Sequence, residues 1–130
     1  HLRTLPVVGC CTSELRPPQK SDADILSIAN PIMDNLMDAS TEINYERHIQ
    51  DFTNRMKSAL SKERLEQICQ DYQSTKGFFT TREFVAIFRR PESLAIVWKQ
   101  GFSKQPGEFV AEMVLVQQNG KCLVDHVMVF

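Results

Sequence analysis

Glycine is scarce: five residues in a chain of 130, with no glycine-rich phosphate loop and no G-x-S-x-G strand-to-helix elbow. This excludes the commonest nucleotide cradle and the usual scaffold of a serine nucleophile. The four cysteines, Cys10, Cys11, Cys69 and Cys122, include no C-x-x-C pair, and their spacing fits no zinc pattern, so no metal and no cofactor is expected. No apolar run approaches the roughly 20 residues that cross a bilayer, so no membrane-spanning helix is expected. Charge of one sign is missing as well. Fifteen basic against sixteen acidic residues leave a formal net charge of −1, which provides no field to attract nucleic acid or an acidic membrane.

The remaining composition, 42% hydrophobic and 24% charged, is that of a globular chain. A domain of this size buries roughly two thirds of the surface its unfolded chain exposes, so one core suffices without staples. Residues 1–21 stand apart. They hold Pro6, Pro17 and Pro18 and a single acidic residue, Glu14, and from Cys11 to Ser21 they read as a tether. One α+β domain is expected over residues 22–130.

Three helices are expected first. Ile25, Ile28, Ile32 and Leu36, with Leu26, Ala29, Met33 and Met37, recur at three- and four-residue steps over Asp22 to Ala39. Pro31 predicts either a kink there or a fresh start with Asn30 as cap. Asn44 is placed to cap a second helix, with Tyr45, Ile49, Phe52 and Met56 as its buried stripe, and Ser61 to cap a third, with Leu65, Ile68, Cys69 and Tyr72 on one side. Gly77 supplies a left-handed stop.

After Gly77 the period changes to two, and four β-rich runs follow, separated by Arg90-Pro91-Glu92, Gln105-Pro106-Gly107 and Asn119-Gly120. Asn-Gly suits a two-residue type I′ hairpin turn. Pairing Gln118 with Lys121 predicts Met113 opposite His126, Leu115 opposite Val124 and Val114 opposite Asp125. The preceding hairpin is expected to pair Trp98 with Met113, Ile96 with Leu115 and Lys99 with Glu112, where opposite charges meet. The helix-facing side would then carry Val85, Ile87, Ile96, Trp98, Phe109, Met113, Val124, His126 and Met128. The other side would carry Phe84, Phe88, Val97, Val114, Val116, Val127 and Val129, interrupted by Arg82, Lys99, Glu112 and Asp125. A monomeric antiparallel sheet leaves one face polar, so this second apolar face predicts a homodimer through Phe84, Phe88, Val97, Val114, Val116 and Val127.

The Asn30-Pro31 step with Ile32, Asp34, Asn35 and Leu36, then Asn44-Tyr45-Glu46, Asp51-Phe52, Met56-Lys57, Leu65 and Gly77, resembles an uncharacterised bacterial domain family of the cystatin-like, nuclear-transport-factor-like cone fold. The similarity runs from about Asp22 to Phe130. It implies a curved sheet wrapped around a long helix with a pocket between them, dimerisation through the outer sheet face, and proteins that are often exported or lipid-anchored. These motifs are caps and core positions, specific for fold and uninformative about substrate.

Candidate chemistry is thin. His126, the one ionisable group expected on the helix-facing side of the last two strands, is the weak catalytic candidate: a base titrating near neutrality, but with its neighbour Asp125 turned to the opposite face. Trp98, Met113, Phe109 and Met128 are expected to line the pocket with it. Glu112, Asp125 and Lys99 read as an acid–base cluster or, more simply, as a surface ion-pair group. His48 reads as an exposed helical residue, Tyr45 and Tyr72 as core aromatics, and Cys69 and Cys122 as small buried groups. Val7-Val8-Gly9-Cys10 resembles a lipobox with Cys10 as the lipidation site, although Arg3 and Pro6 interrupt its apolar stretch. An unmodified tail and a disulfide or reactive pair are the other readings of Cys10-Cys11. The expected function is a non-enzymatic binding or accessory domain with a small apolar ligand, in a bacterial envelope or the cytoplasm; the alternative is a small lyase, isomerase or hydrolase using His126.

Overall fold

The computed structural model describes residues 20–130; the expected tether and the candidate lipidation site Cys10 lie outside the described residues, apart from Lys20 and Ser21 at the tether's end. Ser21 caps α1 (Asp22–Glu42): its Oγ accepts the Asp24 amide at 3.1 Å, and Asp22 and Asp24 sit where the helix dipole favours negative charge. Pro31 lies inside this helix without ending it, so α1 runs unbroken for 21 residues, three beyond the apolar stripe. Asn30 is not a cap. Its Oδ1 accepts the indole N–H of Trp98 at 3.1 Å and ties the helix to the sheet.

The expected second helix is two short ones, α2 (Tyr45–Ile49) and α3 (Asn54–Ala59), capped by Asn44 and Thr53. Among the described residues, four helical segments therefore precede the strands. The break between them falls where Phe52 leaves the helical stripe to bridge Val124 of the sheet. Helix α4 (Lys62–Thr75) starts at the Ser61 cap, and Gly77 follows at φ 86°. A Cβ on Gly77 would meet the Ser103 hydroxyl at 2.3 Å, so both the backbone angle and the close approach require glycine.

Strands β1 (Phe79–Arg89), β2 (Leu94–Phe102), β3 (Phe109–Gln118) and β4 (Lys121–Val129) form an antiparallel meander in sequence order. Helices followed by a four-stranded antiparallel sheet are the α+β class expected. Between β2 and β3 the register is offset by two residues: Ile96 faces Met113, Trp98 faces Ala111 and Lys99 faces Val110. Lys99 pairs with Glu108 at 3.2 Å instead of Glu112. A two-residue offset keeps every side chain on its expected face. The end of β2 is held by β1 and the α4–β1 connection, where Phe79 faces Phe102 and the Ser103 amide donates to the Phe78 carbonyl at 2.9 Å.

Bulges do change faces, and the sheet has three register shifts, the first between Phe79 and Arg82 of β1. In β1, Val85 is the extra residue between the Phe84–Trp98 and Ala86–Val97 pairs. Val85 is consequently 55% exposed rather than inside, and Phe84 and Arg82 share the face of Trp98, with the Arg82 guanidinium 5.3 Å from the indole centroid. In β4 the expected pairing holds from Gln118–Lys121 to Leu115–Val124, and then Asp125 is extra: Val114 faces His126 and Met113 faces Val127. His126 and Met128 move to the outer face with Glu112, while Val127 and Val129 turn toward the helices and pack against the core.

Asp125 is held off the ladder by the α2–α3 connection. Its Oδ1 accepts the Thr53 hydroxyl at 2.9 Å and the Arg55 Nε at 3.1 Å, and Arg55 also donates to its carbonyl. Beside it the Thr53 amide donates to the Val124 carbonyl at 2.9 Å, and the Val124 amide donates to the Asp51 carbonyl at 2.7 Å. The core behind these strands is closed, with Ile25, Ala29 and Met33 of α1 on Ile96, Trp98 and Met113. Replacing Asp125 by Ala removes two side-chain bonds, one of them to the buried Thr53 hydroxyl, and is expected to cost about 1–2 kcal/mol in urea unfolding. An unchanged midpoint would mean that the ladder alone sets the bulge.

Candidate functional site

A cavity of about 420 Å³ lies between the C-terminal half of α1, helices α2 to α4, and the Phe79–Phe102 end of the sheet with Val127–Val129. Its walls follow from helical periodicity. On α4, Leu65, Ile68, Cys69, Tyr72 and Lys76 recur at three- and four-residue steps and all line it; on α1, Met33, Leu36, Met37 and Ser40 do the same. Two contacts set the position of the short helices over it. Asn35 and Arg47 exchange hydrogen bonds at 2.9 and 3.2 Å between α1 and α2, and the Tyr45 hydroxyl donates to the Leu60 carbonyl at 2.7 Å beyond α3.

Of the pocket residues expected from sequence, only Met128 borders this cavity, from the β4 edge between Val127 and Val129, although its strand pairing puts it on the outer face with Glu112. Trp98 and Met113 are sealed under α1, 2% and 0% exposed, and Phe109 packs at 5.1 Å on Phe102 behind the wall. His126 is on the outer face because of the Asp125 bulge. There it has the carboxylate that sequence could not find for it: its Nε2 is 2.6 Å from Glu112 Oε2, with the two side chains 40% and 33% exposed. The expected Glu112, Asp125 and Lys99 cluster is therefore three separate pairs, to His126, Arg55 and Glu108. Among the residues expected on the outer face, Phe88, Val97, Val114 and Val116 keep that side, whereas Phe84 and Val127 are turned to the helix side by the bulges.

The polar groups on the cavity are others. Ser40 Oγ lies 2.7 Å from the Tyr72 hydroxyl and 3.3 Å from Cys69 Sγ, and Gln73 Nε2 approaches the Tyr72 oxygen at 3.5 Å. Burial raises both the Cys69 thiol and the Tyr72 phenol above their ordinary values, against the lowering effect of these hydrogen bonds. Both stay protonated at neutral pH. His48, read from sequence as exposed, lines the cavity with its ring edge-on to Phe52 at 5.4 Å, and its Nδ1 is buried without a hydrogen-bond partner. Burial lowers its pKa from 6.5 to about 4, so the imidazole is neutral at pH 7. The signal that could have found His48 is its spacing: it lies four residues before Phe52 and eight before Met56, on the stripe itself.

The chemistry available here is recognition rather than bond-breaking. A thiol whose pKa is raised is a poor nucleophile, and no carboxylate lines the cavity to act as acid or base. Among the described residues no group of three His, Cys, Asp or Glu side chains is placed to hold a metal ion, and no helix is long and apolar enough to cross a membrane.

No protein-family model and no curated protein matches the chain. Solved structures do. The designed protein Rd1NTF2_05, in a variant with five substitutions, is similar over 82% of this chain and 100% of its own, with 14% identity and a TM-score of 0.57. RPA3114, a SEC-C motif containing protein from Rhodopseudomonas palustris, is similar over 92% of this chain and 97% of its own, with 7% identity and a TM-score of 0.52. A DUF4783 family protein from Bacteroides ovatus, at a TM-score of 0.43, 12% identity, 73% of this chain and 90% of its own, is too distant to carry an argument. At such identities the likeness is one of fold. The chain has the nuclear-transport-factor-like cone fold, as the sequence resemblance implied.

The buried His48 makes stability depend on pH in a definite direction. The unfolded chain takes up its proton near pH 6.5 and the folded chain only near pH 4, so between these values the unfolded state binds more protons. Stability is unaffected by this group above that window and falls as acid is added through it. Allowing for the partial exposure of the ring, urea unfolding at about pH 7 and about pH 4.5 is expected to show about 2 kcal/mol less acid loss in His48→Phe than in the parent. Equal losses in the two proteins would contradict the assignment.

Proposed function

We propose that this domain is a non-enzymatic binding module that takes a small, largely apolar molecule in the cavity beneath α2 to α4, and that two copies pair through the outer face of the sheet. The observation that carries the first part is the cavity itself: about 420 Å³, within the roughly 300–1,000 Å³ of small-molecule sites, with mostly apolar walls and a few un-ionised polar groups. The enzymatic alternative depended on His126 lying in the pocket, and its position on the opposite face removes that support.

The second part is supported by the composition of the outer face. Phe88 and Met128 are 55% and 50% exposed there, beside half-buried Val97, Val114 and Val116. The His126–Glu112 pair lies among them and would be enclosed between two copies.

An environment-sensitive dye such as anilinonaphthalene sulfonate tests the cavity. It is expected to brighten with the parent protein and to lose most of that signal with Met56→Trp, which fills the cavity from α3, provided that circular dichroism shows the fold retained. Dye binding that is indifferent to Met56→Trp would place it elsewhere and defeat the reading. For the pairing, sedimentation at micromolar concentration is expected to give a dimer for the parent and a monomer for Val114→Lys. A monomeric parent would end the dimer proposal without touching the cavity.

A further inference from the structure

The charge distribution of the cavity wall is one-sided. No aspartate or glutamate lines it, His48 is neutral at pH 7, and Lys76 is the one lining residue that carries a formal charge. Lys76 has no carboxylate within ion-pair distance among the described residues. Its backbone is well fixed: its amide donates to the Tyr72 carbonyl at 2.7 Å, and its carbonyl accepts the Lys104 amide at 2.9 Å. One turn back along α4 is the Tyr72 hydroxyl, so the cation and the hydroxyl group lie on the same stripe of the same helix.

Ser40, Cys69 and Tyr72 form one mutually hydrogen-bonded cluster, with contacts at 2.7 and 3.3 Å and a further Cys69–Tyr72 interaction. Gln73 Nε2 approaches the Tyr72 oxygen as another donor. A cavity wall offering hydroxyl hydrogens that can turn to an incoming acceptor, and an unpaired cation with no acid, matches a molecule that ends in an anionic acceptor. The rest of the wall, Met37, Phe52, Met56 and Leu65, accepts only hydrocarbon.

We infer that the ligand is an acidic amphiphile, an aliphatic chain ending in a monocarboxylate, whose head is bound by Lys76 and the Tyr72–Ser40 hydroxyls and whose chain lies against the apolar wall. A single cation suits a single negative charge. A phosphate monoester, carrying about −1.5 to −2, would leave charge unmatched in an apolar site. A cationic ligand would meet Lys76 with nothing to offset it. The inference rests on the cavity being a ligand site, and the test separates the two.

Dye displacement with decanoate and with decanol, each below the concentration at which it aggregates, compares the same chain with and without the carboxylate. With the parent protein decanoate is expected to displace the dye about tenfold more effectively than decanol, the scale of one partly desolvated ion pair. Lys76→Met keeps an aliphatic stem and is expected to reduce that preference to within about twofold, through weaker displacement by decanoate. Tyr72→Phe is expected to weaken decanoate more than decanol. Equal displacement by the two ligands from the parent, or a preference that survives Lys76→Met, overturns the carboxylate assignment and leaves the apolar cavity standing. Displacement by neither ligand, with dye binding still lost in Met56→Trp, also overturns it. Dye binding indifferent to Met56→Trp overturns the cavity reading itself.

Discussion

Asp125 accepts hydrogen bonds from Thr53 and Arg55, and the placement of every side chain beyond it on β4 depends on those bonds. An extra residue in a strand exchanges its two faces from that point on. Here the exchange turns Val127 and Val129 toward the helices, where they complete the cavity wall, and moves His126 out to Glu112. The same connection that holds Asp125 also interrupts the second helix, because Phe52 and Thr53 must be extended to reach Val124. One tertiary clamp thus shapes the edge of the sheet, splits a helix and decides which histidine faces the cavity.

The consequence for chemistry is a site whose groups are polar but un-ionised. Burial keeps the Cys69 thiol and the Tyr72 phenol protonated and the His48 imidazole deprotonated, which are the uncharged forms of all three. An apolar surround disfavours charge in either direction. Lys76, at the end of α4 and partly exposed, is the one lining residue that carries a formal charge. Such a distribution suits the ordering of an amphiphile along the cavity more than the transfer of a proton.

Much of this fold is legible without coordinates, and the reasons are local. Ser21, Asn44 and Ser61 each accept an amide three residues ahead, an interaction contained within one turn, and Asn119-Gly120 adopts the positive φ values of a hairpin turn. The end of α1 is less legible. Ile43, a β-branched residue, takes the left-handed position at φ 54° that glycine or asparagine usually marks, so nothing in the sequence announces it. The β2–β3 register escaped because an offset of two preserves both faces, and Lys99 finds a carboxylate in either arrangement, Glu112 in one and Glu108 in the other.

The candidate site divides along the same line. The α4 stripe of Leu65, Ile68, Cys69 and Tyr72 is readable as a buried face, but whether that face meets protein or an opening is set by how α2 and α3 are held above it. The amino-acid sequence by itself determined the helical stripes, their caps, the four-strand meander and its closing hairpin, because these rest on contacts between residues a few positions apart. Tertiary structure alone decided the bulges and the cavity. The β4 bulge, which turns Val127 and Val129 onto the cavity, depends on Asp125 meeting Thr53 and Arg55 across 72 and 70 positions of chain, and no local pattern encodes contacts at that separation.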